Sequence, residues 1–335
     1  MASVRTIARN AGVSITTVSR VLNNHPQVSE GVRQRVLDAS NQTGYTQTVG
    51  RKSTTNIALL YTGESSLGSP FDGAILAGMS QGMEEHGYDL MILDARRSRN
   101  AGETLTQMML RKGIRGAVVR TTSATRGTVE MLAAEGFPFV VAADRFDDPA
   151  VSYVYSDSIA ASREATEHLI GLGHRRIGMC LNIVDDSDHL DRLEGFRQAL
   201  AGHDIELDSR DVLRSPANRE GGVQLLRRVM SRADRPTALF LADPITAVGL
   251  LSEARRSGVS IPADLSVVGF DDADLRYMVC PELTAVCQDA SALGREAFVA
   301  LHGLLDDDKT PVRKALPTWL EIHGSTASPG SERSA

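Results

Sequence analysis

Three short segments in the first 45 residues carry apolar side chains at helical spacing. Their inward positions are Val4, Ile7, Ala8 and Ala11, then Val18, Val21 and Leu22, then Val32, Val36 and Leu37. This spacing predicts amphipathic helices, and Ser3, Ser14 and Ser29 stand where each helix needs an N-terminal cap. Gly12 suits a turn with positive φ. Two short helices, a glycine turn and a supporting helix are typical of a helix-turn-helix head.

Residues 57–326 follow a different pattern, in which short apolar runs alternate with amphipathic stretches. The predicted strands are 57–61, 89–94, 117–120, 139–144, 176–181, 238–243 and 266–271, and the predicted helices are 74–86, 101–112, 160–172, 220–230 and 246–257. This alternation predicts two α/β lobes, each with a parallel, doubly wound sheet covered by helices on both faces. Several strands end in aspartate, at the carboxyl edge where such sheets bind ligands.

Charge is distributed unevenly between these two parts. Residues 1–55 contain seven basic and two acidic side chains, whereas the whole chain has a net charge of −6. A basic head on an acidic body places the attraction for phosphate at one end. The chain has no run of about 18 apolar residues, no secretory-type N-terminus and no CxxC pair. We therefore expect a cytoplasmic protein that associates with the nucleoid and not with a membrane.

The sequence lacks the common motifs of nucleotide-binding enzymes, hydrolases and metalloproteases. These motifs are G-x-x-x-x-G-K-[ST], G-x-G-x-x-G after a strand, G-x-S-x-G and H-E-x-x-H. The acidic run 185–189, Asp-Asp-Ser-Asp-His, has neither the turn glycine nor the distal glutamate of a calcium loop. We interpret it as a solvated loop. We expect no catalytic residue, no cofactor and no metal site.

The second predicted helix is the candidate DNA reader. If it enters the major groove, its outward residues Ile15, Thr16 and Arg20 meet base edges, and Arg20 is the candidate for bidentate contact with guanine. We expect phosphate contacts from the polar residues Thr17, Ser19 and Asn23. On this pattern alone, a three-helix protein-interaction module remains the alternative.

Two stretches of the head resemble the lactose-repressor (LacI/GalR) family almost position for position. They are AGVSITTVSRVLN at 11–23 and VSEGVRQRVLDASNQTGY at 28–45. The body resembles the effector domain of the same family, itself similar to periplasmic sugar-binding proteins, in SPFDGAILAGM, ATEHLIGLGHRRIG, RLEGFRQAL, DRPTALFLAD, IPADLSVVGFDD and PELTAVCQD. The resemblance implies that Ile15, Thr16 and Arg20 read bases, and that a homodimer assembled through the bodies binds double-stranded DNA at a pseudo-palindromic operator.

The segment 46–56, between the head and the first strand, departs from the family. Relatives carry here a hinge helix that folds on DNA and wedges a leucine into the minor groove. In this chain the segment is several residues shorter and has no leucine, and Gly50 opposes helix formation. We expect a degenerate hinge and a weak central kink, with Arg51 and Lys52 still reaching phosphates. The alternative is a shorter helix that uses Val49 as its wedge.

The resemblance also implies how the chain is divided. The head is 1–45, the linker 46–56, lobe one 57–156 and 288–317, lobe two 157–287 and 318–326, and a disordered tail 327–335. The tail has no leucine heptads of the kind that would form a tetramer. We therefore expect a dimer.

Effectors of the family bind between the lobes, and the resemblance carries six positions to this cleft. They are Phe71, Asp72, Asp144, Arg192, Asp243 and Asp271. Carboxylates that accept from vicinal hydroxyls and an arginine that donates to oxygens supply the chemistry of sugar binding. Three departures stand out: Ser69 and Asp72 replace Asn and Phe, Asp243-Pro244 replaces Asn-Asp, and Ala217 lies near the usual stacking aromatic.

These departures add carboxylates around Arg192, which repel anionic ligands. We expect a neutral or cationic, hydroxyl-rich small molecule, a sugar or polyol, and not a sugar phosphate or uronate. The chain is then a regulator, expected to repress a carbohydrate-related operon, whose effector shifts the population of DNA-competent states. Two alternatives stay open: an effector-independent regulator that has lost its ligand site, and a cytosolic sugar-binding protein, against which the head argues.

Overall fold

The computed structural model describes residues 4–22, 28–43, 54–63, 67–306 and 310–330. In this part of the chain a small helical head precedes a body of two α/β lobes, which confirms the predicted fold class. None of the described helices is long and apolar enough to cross a lipid bilayer. Ser3, Asn23, Val49, Arg51 and Lys52 lie outside the described residues.

The head consists of α1 (Val4–Ala11), α2 (Ile15–Leu22) and α3 (Glu30–Thr43). Its core is formed by the predicted inward positions, among which Ile7, Val18 and Val36 are fully buried. Gly12 has a φ of +62°, as the turn between α1 and α2 requires. Each fully buried aliphatic side chain contributes about 1.5–3 kcal/mol, so this small cluster is the main term that holds the three helices together.

Lobe one is built on five parallel strands. They are β1 (Asn56–Tyr61), β2 (Asp89–Asp94), β3 (Ala117–Arg120), β4 (Phe139–Ala142) and β5 (Tyr153–Asp157), in the order β2-β1-β3-β4-β5. The helices that follow them are α4 (Pro70–Glu84), α5 (Ala95–Ser98), α6 (Leu105–Arg111) and α7 (Arg126–Glu135). One apolar cluster lies on each face of the sheet, as expected for a buried parallel sheet.

Lobe two repeats this plan. Its strands are β6 (Ile177–Asn182), β7 (Val212–Ser215), β8 (Ala238–Leu241), β9 (Ser266–Asp271) and β10 (Thr284–Gln288), in the order β10-β9-β8-β6-β7. Its helices are α8 (Ile159–Gly171), α9 (Ser187–Ala201), α10 (Arg219–Met230) and α11 (Pro244–Ser257). The helix α12 (Ala290–Leu305), which comes after β10, returns to lobe one and packs on α4.

The helices α4 and α12 cross in direct backbone contact. A Cβ atom added at Gly78 would lie 1.8 Å from the carbonyl oxygen of Ser291, and one added at Gly294 would lie 2.1 Å from that of Ile75. Because no side chain fits at either position, glycine is required on both helices. This crossing fixes α12 to lobe one.

The strand β11 (Arg313–Glu321) belongs to both sheets. Its first half, Arg313 to Pro317, pairs in parallel with β5, and its second half, from Thr318, pairs antiparallel with β10. The chain therefore passes between the lobes after β5, after β10 and within β11.

Residues just outside both ends of the predicted body, 57–326, form hydrogen bonds with the lobes. Thr54, placed in the linker, donates its hydroxyl to the carbonyl of Gly113 over 2.8 Å. Ala327, placed in the tail, accepts hydrogen bonds from the Ser266 hydroxyl (3.0 Å) and the His174 ring (2.9 Å). These contacts give both segments buried partners, which is why they are ordered against the lobes.

Candidate functional site

The helix α2 turns its polar side outward. Val18 and Val21 are buried in the head, whereas Ile15, Thr16 and Arg20 are exposed, and Ile15 is 50% exposed although it is aliphatic. An exposed aliphatic side chain is suited to contact a thymine methyl group, and an exposed guanidinium is suited to contact a guanine edge. The three residues predicted to read bases therefore share one accessible helix face.

The residues predicted to contact phosphates are less uniform. The amide of Thr17 donates to the Ser14 hydroxyl over 3.0 Å, and the two hydroxyl oxygens are 2.8 Å apart, so Thr17 belongs to the N-terminal cap of α2. Ser19 is exposed on the same helix. The predictions for Asn23, Arg51 and Lys52 fall outside the described residues.

A cavity of about 170 Å³ lies between the lobes, and we call it the cleft cavity. It is lined from lobe one by Ser69, Pro70, Phe71 and Arg120, from lobe two by Asn182, Asp186, Asp188, His189, Arg192, Ala217, Asp243, Pro244, Ile245 and Asp272, and by Gln288 at the end of β10. Of the six positions predicted for the effector, Phe71, Arg192 and Asp243 lie on this wall.

Three helices begin at the cleft cavity. Ser69 caps α4, with Pro70 in its first turn. Asp243 precedes α11, and Asp186 caps α9 by accepting the amide of His189 over 2.8 Å. A helix N-terminus presents free amides and a partial positive charge, so it stabilises nearby carboxylates. The helix starts thus explain how several acidic residues can share one cleft.

The α9 start supplies most of the charged wall. Asp188 and Arg192 are four residues apart and therefore share one helix face. The Arg192 guanidinium donates to the carbonyl of Ala242 over 2.6 Å and stacks on the Phe270 ring, with its central carbon 3.5 Å from the ring centre. These two contacts hold a nearly buried arginine in one orientation facing the cavity.

His189 bridges two carboxylates. Its Nδ1 atom is 2.6 Å from Asp186, and its Nε2 atom is 3.2 Å from Asp243. Burial by itself lowers the pKa of His189, but the charges of Asp186 and Asp243 outweigh burial and raise this pKa to about 10. His189 is therefore a cation at neutral pH, and it offsets two of the acidic groups.

Two further carboxylates on the wall are less well compensated. Burial raises the pKa of Asp188 to about 7, because the nearby cations Arg192 and Arg120 only partly offset the loss of water and the charge of Asp186. Burial likewise raises the pKa of Asp272 to about 6, although the amide of Gln288 donates to Asp272 over 2.5 Å. Both groups thus hold a proton more tightly than an ordinary aspartate.

The other three predicted effector carboxylates are bound to arginines of the protein and do not line the cleft cavity. Asp72 lies behind Arg120, which donates to it over 3.0 Å. Asp144 accepts two bonds from Arg126, of 2.6 and 2.7 Å. Asp271 pairs with Arg276 over 2.7 Å and also accepts backbone amides. Each of these oxygen pairs already has internal donors, and an effector-binding role for the three residues stays a prediction.

The sequence analysis did not predict several residues that line the cleft cavity. Asp186, Asp188 and His189 were expected in a solvated loop, yet they form the first turn of α9 and the cavity wall. Two features of the sequence indicated a helix here. Asp186 and His189 have the spacing of an N-terminal cap and the third helical residue, and Asp188 and Arg192 are four residues apart. Asp272, the neighbour of Asp271, is the aspartate that reaches the cavity.

An ion pair joins the lobes beside the cleft cavity. Arg145, which follows β4 in lobe one, binds both carboxylate oxygens of Asp191 on α9 in lobe two, one of them over 2.6 Å. The amide of Ser123 also donates to the carbonyl of Asp185 across the lobes over 2.9 Å. We call the first contact the interlobe ion pair. It stabilises the closed arrangement of the two lobes.

A larger cavity, of about 310 Å³, lies between the head and lobe one. Its wall mixes the apolar Val21, Leu22 and Leu37 with Glu103 and Arg111, which neutralise each other over 2.6 Å. The cleft cavity, in contrast, contains buried polar atoms that have no hydrogen-bond partner among the residues that the structure describes, namely Asp188 Oδ1, Arg192 Nε and Gln288 Oε1. Such atoms favour the cleft cavity as the ligand site, since a ligand can satisfy them. Among the described residues no cluster of His, Cys, Asp or Glu is arranged to hold a metal ion.

Comparisons with known proteins agree with this architecture. The model of the lacI family of bacterial regulatory proteins matches residues 3–47, and that of the periplasmic binding protein-like domain matches residues 166–326. The ribose operon repressor of Haemophilus influenzae is 30% identical over 316 residues, which cover 93% of this chain and 93% of the relative. The HTH-type transcriptional regulator CelR of Thermobifida fusca is 30% identical over 329 residues, 95% of this chain and 96% of the relative.

Solved structures show the same arrangement. A complex of the transcriptional regulator CelR with cellobiose is 29% identical, with a TM-score of 0.72, and covers 97% of this chain and 100% of its own. A lac repressor dimer bound to operator is 24% identical, with a TM-score of 0.70 over 97% of this chain and 99% of its own, and shows the common fold. The relatives are regulators and not enzymes. With a matching head, a matching body and 30% identity along nearly its whole length, the chain belongs to the LacI family of DNA-binding transcriptional regulators.

Proposed function

We propose that this regulator represses a carbohydrate-related operon and is released from DNA, or fixed on it, by a small effector in the cleft cavity. The observation that carries the proposal is the set of unpartnered polar atoms in that cavity, Asp188 Oδ1, Arg192 Nε and Gln288 Oε1. Two acceptors and one donor match a molecule with several hydroxyl groups. The relatives named for ribose and cellobiose support a carbohydrate.

The size and charge of the cleft cavity limit the effector. About 170 Å³ is less than the roughly 300–1,000 Å³ of pockets for drug-sized ligands, so a ligand of monosaccharide size fits better than a larger one. The carboxylates on the wall oppose a phosphate or a uronate. We propose a neutral or cationic, hydroxyl-rich molecule, bound with the help of Phe71, Arg192 and Asp243 on the wall.

On the DNA side, we propose that Ile15, Thr16 and Arg20 read bases and that two heads of a homodimer occupy the halves of a pseudo-palindromic operator. Such a regulator acts in the cytoplasm. The shortened hinge, with Val49, Arg51 and Lys52, stays a prediction, and so does the weak kink of the operator.

If no small molecule binds, the alternative of an effector-independent regulator is favoured.

The base-reading role is tested with Arg20→Ala. The operator is first selected from random DNA with the wild-type protein, and binding is then measured by fluorescence anisotropy at fixed salt. Loss of a bidentate guanine contact costs about 1–3 kcal/mol, so we expect roughly 5- to 150-fold weaker operator binding and relaxed selectivity at one base pair.

Arg9→Ala is the matched control, since Arg9 is an exposed arginine of α1, outside the reading helix. It is expected to weaken binding to selected and scrambled DNA alike, if at all. Unchanged sequence selectivity in Arg20→Ala would remove Arg20 from the reading face.

A further inference from the structure

The charged groups around the cleft cavity do not balance. Five carboxylates surround it, Asp72, Asp186, Asp188, Asp243 and Asp272, and three cations, Arg120, Arg192 and His189. If all of them are ionised, two negative charges remain without a counter-charge in a site largely shielded from water. Such charges are costly until a partner reaches them or a proton neutralises them.

The hydrogen bonds show where the excess lies. Arg120 holds Asp72 over 3.0 Å, and His189 lies between Asp186 and Asp243. The two remaining carboxylates, Asp188 and Asp272, share the one remaining cation, Arg192. Of these two, Asp272 also accepts a bond from the Gln288 amide.

Asp188 is the less satisfied of the two. It is only 7% exposed, and within the described part of the chain its Oδ1 atom has no hydrogen-bond partner. Its nearest cationic atom there, Arg192 Nη2, is 3.9 Å from Oδ2. That separation is beyond hydrogen-bond distance. A buried carboxylate that lines a cavity with a free oxygen is arranged to receive a donor from a ligand.

We infer that the effector carries a protonated amine and that Asp188 is the specificity-determining residue that binds it. The inference rests on the proposed function of the cleft cavity as the effector site. A hydroxyl group could complete the hydrogen bond to Oδ1, but only a cation also removes the excess charge. An ammonium group has three donors, enough for Asp188 and for the unpartnered Oε1 of Gln288. A metal ion is disfavoured, since the described residues offer no metal-binding cluster.

The amine has a signature that a neutral ligand lacks. At neutral pH the raised pKa of Asp188 leaves this group partly protonated, and an ammonium must displace that proton. With a pKa of about 7 for Asp188, linkage predicts that amine binding is about tenfold weaker at pH 6 than at pH 8. A neutral polyol that donates a hydroxyl shows no such loss.

The test uses the full chain and two matched sets of probes. One set is 1-amino-1-deoxyalditols with the parent alditols, whose amines stay protonated up to pH 8, and the other is hexosamines with the parent hexoses. Binding is detected as a rise in melting temperature and quantified by titration calorimetry at pH 6 and pH 8. Operator binding by the same preparation is measured in parallel.

We expect an amine to bind at least tenfold more tightly than its hydroxyl parent. Asp188→Asn is expected to abolish that preference and the pH dependence. Asp234→Asn, which changes an exposed aspartate paired with Arg176 and Arg210, is the matched control and should keep both.

The possible failures are distinguishable. Binding of alditols or hexoses without preference for the amine, or an amine preference that survives Asp188→Asn, overturns the inference and leaves the effector site standing. If no member of either probe set binds while operator binding is intact, the proposal that the cleft cavity is a carbohydrate-type effector site is overturned, and the inference with it. Loss of operator binding by the wild-type chain would overturn the proposed DNA-binding role itself.

Discussion

The aspartates around the cleft differ in the partner that each one has. Asp72, Asp144 and Asp271 are each bound by an arginine at 3.0 Å or less, whereas no cation of the described residues lies within hydrogen-bond distance of Asp188. The same side chain therefore acts as a structural anchor at three positions and as an open acceptor at another. What distinguishes them is the position of the donors, which lie between 5 and 48 residues away in the sequence.

This difference predicts how stability depends on pH. The folded pKa of Asp188 is about 7, above its value of about 3.9 in the unfolded chain. Between these pH values the folded chain binds more protons at Asp188, so this group lowers the free energy of unfolding as pH rises from 4 to 7. Asp188→Asn removes that loss, and it should raise the free energy of unfolding by up to about 4 kcal/mol at pH 8 and hardly at all at pH 4.

Urea denaturation of the ligand-free protein at the two pH values measures the effect. Asp234→Asn is again the control, with a change below about 0.5 kcal/mol at both, as for an exposed residue. A gain at pH 4 as large as that at pH 8 would contradict the assignment.

At the scale of elements, close helix contacts make specific demands on sequence. Gly78→Ala pushes a methyl group into the Ser291 carbonyl at the crossing of α4 and α12, and we expect it to reduce the free energy of unfolding by about 3 kcal/mol. Gly73 belongs to the same helix but has open space around it, so Gly73→Ala should be neutral or stabilise by up to about 1 kcal/mol. Thermal and urea denaturation compare the two variants. Equal effects would mean that the crossing relaxes around the added methyl.

The sequence predicts most elements, and the exceptions have physical reasons. The seven predicted strands correspond to β1–β4, β6, β8 and β9. Each contains an apolar run, which is buried in all of them except the edge strand β2. The strand β11 was missed because it is largely exposed, contains Pro317 and changes partner halfway, so it has neither an apolar run nor a constant alternation. At the site, the sequence did not single out Asp272 as a cavity-lining residue, because neighbouring residues at a strand end point in different directions and the pattern does not show which one faces the cleft.

At the scale of the whole molecule, the closed cleft depends on contacts that join the two lobes. The interlobe ion pair, Arg145 with Asp191, is partly exposed, so it contributes only modestly to the free energy that holds the lobes together. We expect Arg145→Ala to shift the ligand-free protein toward an open form, seen as a larger radius of gyration in X-ray scattering and faster amide exchange at the start of α9. Arg163→Ala, which breaks an exposed pair within α8, is the control and should leave both unchanged. An identical scattering curve for Arg145→Ala would mean that other contacts hold the lobes closed.

The late arrival of α12 and β11 also has a consequence for the growing chain. Lobe one has its first five strands by residue 157, but its core includes Leu293, Phe298 and Leu301 from α12, and β5 is paired on its outer side only by β11. At about 5–20 residues per second, the ribosome needs roughly 7–27 s to add the residues between β5 and α12. During that interval the sheet has an open edge and one bare apolar face. The first lobe to be translated therefore waits for residues made after most of the second lobe, and a nascent chain stalled before residue 290 should present lobe one as a substrate for chaperones.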